Sequence, residues 1–223
     1  EWLDSLTADS SAFRFTHFEV GTPKPRMEWN RKRYSANTQY PPSGVSLTLH
    51  FTAPTPALSG VSVAIHYELY DGIPLIGKWL TLENRSGKSV RLKSFTSEIL
   101  AAVEYEAHVE KAERWEHPNI HVESDYAFIG MDPVSANKVA FWEPDPQYTT
   151  QVNYLLQTPC LLQCRPPLGP DMPIANGESF ETFHVWELVF DSEDRERKGL
   201  TLRRMYRTLA PWATENPILM HSR

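Results

Sequence analysis

Residues 61–84 read VSVAIHYELYDGIPLIGKWLTLEN. Val61, Val63, Ile65, Tyr67 and Leu69 fall on every second position. Ser62, His66 and Glu68 lie between them, with Ala64 and Tyr70 as less polar exceptions. Side chains alternate across a strand, so one face is apolar and the other mostly polar. Asp71-Gly72 then favours a hairpin turn, because Gly takes up positive φ at little cost and Asp tolerates it. The second run carries Trp79, Leu80 and Leu82 and stops at Asn84-Arg85-Ser86-Gly87, another turn signal. The stretch predicts a half-buried antiparallel sheet.

The same pattern extends outward. Residues 44–53 alternate Val45, Leu47, Leu49 and Phe51 against Ser46, Thr48, His50 and Thr52, which predicts another strand. Residues 13–20, 89–95, 121–129, 138–142 and 151–157 read as further strands. Residues 98–105 are rich in helix formers but sit among strands, and are read as a strand. Residues 21–33 and 54–60 are broken by Pro, Ser and Gly and read as loops. The prolines between 144 and 173 read as loops crossing the end of a sandwich. Residues 179–190 (SFETFHVWELVF) are apolar on both faces, which predicts one central strand covered on both sides. Asp191-Ser192-Glu193-Asp194 then offers Asp or Ser as a helix cap. Leu202, Met205, Tyr206 and Leu209 follow at helical spacing. Arg203, Arg204 and Arg207 sit towards the C-terminal end, where cations suit the helix dipole, and Pro211 ends the run. The chain therefore reads as all-β, with ten or more short antiparallel strands and one C-terminal helix.

Bulk properties narrow the function. With 41% apolar residues, 7 Trp, 9 Tyr and 10 Phe, the 223 residues can build a core, so disorder is not expected. A net charge of −6 and no dominant basic patch argue against nucleic acid. No apolar run reaches the roughly 18 residues a spanning helix needs, so no membrane partner is expected. No signal peptide is visible, and the compartment stays open. Cys160 and Cys164 would share one face of a strand about 13 Å apart, too far to bridge, and read as buried or half-buried thiols. Two cysteines do not make a structural zinc site, and no metal or cofactor is expected.

Recognised nucleophile, metal and phosphate motifs are missing. His117 and His121 are four apart, but Pro118 between them argues against a helix that would align them. His50, His66 and Glu68 lie on polar strand faces; a His/carboxylate pair can serve acid–base chemistry, or these are solvent-facing residues. Phe141-Trp142-Glu143-Pro144-Asp145-Pro146 sets the loop carboxylate Asp145 beside the aromatic Trp142. Sugars stack on aromatic rings while carboxylates take their hydroxyls, so Trp142, Asp145 and Trp29 are candidate carbohydrate contacts; ordinary packing of the two indoles is the alternative.

Two segments carry a family resemblance. The run His66-Tyr67-Glu68-Leu69-Tyr70-Asp71-Gly72-Ile73-Pro74, with Lys78-Trp79 and Glu83-Asn84, resembles part of the N-terminal domain of α-galactosidase-type glycoside hydrolases, the group that includes raffinose synthases. The run Arg203-Arg204-Met205-Tyr206-Arg207, with Ala210-Pro211-Trp212 and Glu215-Asn216-Pro217, is similar to the helix and linker that lead from that domain into a catalytic (β/α)8 barrel. Neither segment is a catalytic motif. The resemblance implies a large antiparallel β-supersandwich of galactose mutarotase-like fold over residues 1–192, with helix and linker over 193–223. It implies a retaining mechanism with two aspartates in the barrel. A barrel takes about 250 residues, so no catalytic residue carries over onto this chain. The implied partners are a galactoside carbohydrate, the downstream barrel and a homo-oligomer.

The same fold implies a second reading. Galactose mutarotases use a histidine and a glutamate as acid and base on the concave sheet face, which would assign His50, His66 and Glu68 to a stand-alone aldose 1-epimerase. Their Asn-His-Pro-type segment is missing here, since His117-Pro118 follows Glu116. A third reading is a carbohydrate-binding sandwich module with no catalytic link.

Overall fold

The computed structural model describes residues 9–30, 39–104, 118–126, 139–144 and 158–212. The described residues form antiparallel sheets and one α-helix. The large sheet runs β1 (Arg14–Gly21), β2 (Gly44–Thr52), β3 (Val61–Tyr70) and β4 (Leu75–Asn84). It continues into β12 (Val185–Val189) and β7 (Ile120–Ser124), while β11 (Ser179–Glu181) also pairs with β4. A second sheet has the order β6 (Glu98–Glu104), β9 (Thr158–Cys164), β8 (Ala140–Pro144). A ribbon joins β10 (Pro170–Ile174) to β5 (Val90–Ser94). Helix α1 spans Arg195–Leu209. The all-β expectation holds, and so does the strand expected within residues 98–105.

Alternation explains the layers. Leu49 faces Ile65 and Ile65 faces Leu80, so β2, β3 and β4 place their apolar side chains on one face of the large sheet. The three-stranded sheet covers that face around β12. Leu162 and Cys164 from β9 pack with Val185, and Leu100, Val122, Ala140, Trp142 and Phe183 close around them. Cys160 and Cys164 are buried and form no disulfide, as their spacing predicts. Charge enters this interface through Lys78, whose ammonium donates to Glu98 at 2.7 Å. Burial works against the Lys78 charge, but hydrogen bonding to Glu98 and its negative charge outweigh that and hold the ammonium above its ordinary value. Glu187 shares the interface, and its Oε1 has no hydrogen-bond partner among the described residues. Burial first, then the neighbouring Glu98, pushes the Glu187 carboxyl up to about 7, with Lys78 acting in the opposite sense.

The opposite, polar face is divided. At one end α1 lies on it, and Met205 is fully buried with Tyr70, Ile73, Leu75, Trp186 and Leu188. This reverses the burial expected for the end of β3: Leu69, on the apolar face, is 54% exposed, whereas Glu68 and Tyr70 are buried. The helix supplies apolar contacts that strand periodicity alone does not anticipate. Asp194 caps it, accepting from the Arg197 N–H at 2.8 Å. Arg204 donates to the Gly72 carbonyl at 2.6 Å and Tyr206 to Glu123 at 2.6 Å, so the helix grips both the β3–β4 turn and β7.

Four sequence expectations need correction. Residues 179–190 are two strands, because the register against β4 slips by one residue between Glu181–Thr81 and Val185–Lys78. Thr182 fills the gap: its hydroxyl accepts from the Leu80 N–H at 2.9 Å while its own N–H donates to the Leu80 carbonyl. The proline-rich segment is not all loop. Pro170 and Pro173 lie in β10, a ribbon strand paired only with β5, where a missing N–H is tolerated. The strand expected at 121–129 is β7, shifted to Ile120–Ser124, and that at 138–142 is β8, shifted to Ala140–Pro144. Residues 127–129 and 151–157, and the tail from 213, lie outside the described residues.

Asn84 ends the opening hairpin while fully buried. Its amide donates to the Lys88 and Ile174 carbonyls at 2.8 and 2.9 Å, and its Oδ1 accepts from the Ser86 N–H and hydroxyl. A buried amide with every such bond made costs little and fixes the turn.

Gly72 has φ of 72°, so Gly72→Val should lower unfolding free energy by about 1 kcal/mol or more, read by urea denaturation. Glu187 binds its proton more tightly folded than unfolded. Its contribution therefore favours the fold below its ordinary value of 4.5 and is lost as pH rises to about 7. Glu187→Gln should flatten that slope and raise stability at pH 8 by about 1–3 kcal/mol, measured by denaturation at several pH values.

Candidate functional site

Beyond the helix, the polar face of the large sheet is open and forms a groove of about 580 Å³. Pairing of β2 with β3 sets Thr48 opposite His66 and Ser46 opposite Glu68; pairing of β3 with β4 sets His66 opposite Trp79. His50, His66 and Glu68 therefore line one groove, as the alternation allows, together with Trp79 and Thr81 from β4. Glu19 and Lys24 from β1 and the loop after it, and Glu181 from β11, form its sides. A second hollow of about 340 Å³ shares Lys24, Glu68, Trp79 and Glu181 and adds Arg26, Asp125 and His184.

A ladder of rings crosses the floor. The His66 ring stacks on Trp79 at 4.8 Å, Trp79 meets His184 at 4.4 Å, and His184 stacks near Trp186 at 5.6 Å. The one-residue bulge between β11 and β12 sits beside His184, and bulges commonly re-aim side chains next to sites. Asp125 fixes that histidine. One carboxylate oxygen accepts from the His184 N–H at 2.7 Å and the other lies 3.1 Å from Nδ1. Arg26 pairs with the same carboxylate and lies over the Trp186 ring at 4.6 Å. Burial pushes the Asp125 carboxyl up, but the His184 hydrogen bonds and the Arg26 charge outweigh it and keep it below the usual carboxylate range.

The acid–base candidates are restrained. His66 Nδ1 lies 3.1 Å from the Thr48 hydroxyl and Nε2 3.0 Å from the Thr81 hydroxyl, so both ring nitrogens are engaged. Burial, with smaller repulsions from His50, His184 and Lys24, lowers His66 to about 4, so it is neutral near pH 7. Glu68 accepts the Tyr70 hydroxyl at 2.6 Å, and Tyr70 in turn accepts from the Trp186 indole at 3.3 Å. These bonds orient the groups and leave a surface of hydroxyls, carboxylates and one lysine around an aromatic ladder. That chemistry suits a polyhydroxylated ligand.

The other candidates lie elsewhere. Trp29 packs edge-on against Tyr40 at 5.8 Å, and Tyr40 against Trp212 at 5.5 Å. Trp142 packs in the cluster between the sheets. Neither indole lines the groove, and Asp145 lies outside the described residues. Sequence reasoning missed Trp79, Arg26, Asp125 and His184 as site residues. Trp79 was visible as the residue across the hairpin from His66; His184 was hidden inside a run read as buried on both faces.

No family model matches the chain, and no curated protein matches it. Solved structures do. An α-galactosidase from Lactobacillus brevis superposes with a TM-score of 0.52 at 14% identity, over 88% of this chain and 29% of that chain. The GH36 α-galactosidase AgaA from Geobacillus stearothermophilus gives 0.43 at 14% identity, over 80% and 28%. An AgaA variant in complex with stachyose gives 0.46 at 15% identity, over 89% and 30%. The chain spans less than a third of each of these enzymes.

His66 binds its proton less tightly folded than unfolded, so the stability it contributes is complete above pH 6.5 and is lost as pH falls towards 4. Its imidazole should stay neutral to about pH 4 by NMR, and His66→Gln should remove that part of the acid sensitivity. At 14% identity the likeness is one of fold: this chain has the fold of the part of the Lactobacillus brevis α-galactosidase that it covers.

Proposed function

We propose that the chain is a non-catalytic β-supersandwich domain of a glycoside hydrolase acting on α-galactosides. Residues 1–192 are the sandwich, and 193–223 are the helix and linker that lead into a catalytic barrel. The observation that carries this reading is the unequal coverage: the fold match takes in 88% of this chain but 29% of the Lactobacillus brevis enzyme. The rest of such an enzyme has room for a barrel of about 250 residues. The docking of α1 through buried Met205 supports the same reading, since a helix held that firmly would set the direction of whatever follows it.

The groove is the carbohydrate-contacting surface in this proposal. Glu68 and Glu181 would accept sugar hydroxyls, and Lys24 would donate. Trp29 and Trp142 serve packing instead. A second reading, the aldose 1-epimerase, has one observation in its favour: His66 and Glu68 share the groove. The hydroxyl partners of His66 and the Tyr70 bond to Glu68 count against it.

The reading frame beyond Arg223 should continue into a barrel-sized segment; a stop directly after it would overturn the domain reading. The isolated chain should not hydrolyse a chromogenic α-galactoside. Polarimetry should show no catalysed anomer interconversion of galactose. Interconversion that disappears in His66→Ala would replace the proposal with the epimerase. Calorimetric binding of galactose, melibiose or raffinose without turnover, in a chain with no barrel following, would favour the binding module.

A further inference from the structure

At the open end of the groove, β1 and β2 bring together two imidazoles and a carboxylate to which the domain reading assigns no role. His17 and Glu19 are two apart on β1, and His50 is the direct partner of His17 on β2. The ligand atoms of all three lie within 4.8 Å of one another. Glu19 Oε1 is 3.9 Å from His17 Nε2 and 3.7 Å from His50 Nε2. We propose that His17, Glu19 and His50 form a binding site for a divalent zinc-like cation, with an open coordination position facing the groove.

A bulge builds the cluster. The register of β1 against β2 slips between Phe15 and His17. Without the slip, strict alternation would place His17 with Phe15 on the apolar face. With it, His17 joins Glu19 and His50 on the polar face, while Phe15, Phe18 and Val20 share the other. The bulge also sets the proton on His17. The Thr16 hydroxyl donates its single proton to the His50 carbonyl at 3.0 Å. It can therefore only accept at its 3.0 Å contact with His17 Nδ1. The proton of neutral His17 sits on Nδ1, and Nε2 turns a lone pair towards Glu19. Histidine ligands of metals are held by this kind of hydrogen bond on the other ring nitrogen. His50 Nε2 is buried and makes no hydrogen bond among the described residues. Two imidazole nitrogens thus converge on a carboxylate oxygen at distances too long for hydrogen bonds, an arrangement that a cation would complete.

The donor set is two imidazoles and one carboxylate, which suits zinc with a fourth position left to water or ligand. Tetrahedral zinc with bonds of about 2.0–2.1 Å keeps its donors about 3.3 Å apart. The Glu19 contacts must therefore close by roughly 0.5 Å. The two imidazoles stack in parallel at 4.3 Å, so one ring must tilt to aim both lone pairs at a common point. His17, with 60% of its side chain exposed, is free to do so. Both nitrogens must be unprotonated to bind, so protons compete with the cation for them.

The test is calorimetric titration of zinc chloride into the chelator-treated chain in a non-coordinating buffer at pH 7.5. One ion should bind per chain, in the micromolar range or tighter. Cobalt substituted at the same site should show the visible absorption of a four-coordinate ion. His17→Ala and His50→Ala should each weaken zinc at least tenfold. Thr16→Val, which leaves all three ligands in place, should weaken it about tenfold. His121→Ala, remote from the cluster, should change nothing. Circular dichroism checks that each variant is folded; His17 and Glu19 are exposed, so their loss leaves the core intact. No zinc binding tighter than millimolar, or binding that survives both His17→Ala and His50→Ala, overturns the proposal.

Discussion

The indole of Trp186 lies where a side chain on Gly77 would be. A Cβ at Gly77 would sit 3.1 Å from Trp186 ring atoms and 3.1 Å from the Tyr70 hydroxyl. That empty volume on β4 lets β12 bring a large ring close against the hairpin. Much of the polar face follows from it. Trp186 anchors the buried cluster under Met205, bonds Tyr70 and through it orients Glu68, carries Arg26 on its ring, and closes the ring ladder through His184. Helix docking and groove geometry thus rest on one packing contact, and a change at Gly77 would be felt in both.

The two faces of the large sheet use charge differently. Between the sheets, Lys78 and Glu98 pair, while Glu187 Oε1 is left unbonded among the described residues. A buried pair of this kind adds little net stability but penalises misregistration, because a slipped strand would strand a charge. On the groove face, Asp125 fixes both Arg26 and His184, and threonine hydroxyls fix His66. Those bonds join separate strands and a loop, which makes the floor a rigid surface.

Much of this was legible in the sequence. The alternation in β2 and β3, the Asp71-Gly72 turn and the capped C-terminal helix all follow local rules, and the described structure bears them out. The sharing of one polar face by His50, His66 and Glu68 was legible too, once pairing was assumed. What was not legible depends on non-local register. The slip that splits residues 179–190 has no turn residue to announce it, since Thr182, Phe183 and His184 look like strand. The burial of Glu68 and Tyr70 depends on a helix that begins more than a hundred residues later. Trp142 looked like an exposed aromatic at the end of a strand because its covering partners, Leu162 and Cys164, lie in a strand hidden among prolines.

Cys160 and Cys164 lie on β9, both almost wholly shielded from solvent and facing the large sheet. Burial, with the nearby Glu187 and Glu98 charges, pushes the Cys164 thiol up to about 12, so it holds its proton and is a poor nucleophile. Neither sulfur can meet a reagent unless the second sheet lifts from the first. The chain therefore carries an internal clock: the rate at which these thiols become reactive reads how often the two layers part, independently of anything bound in the groove on the far side.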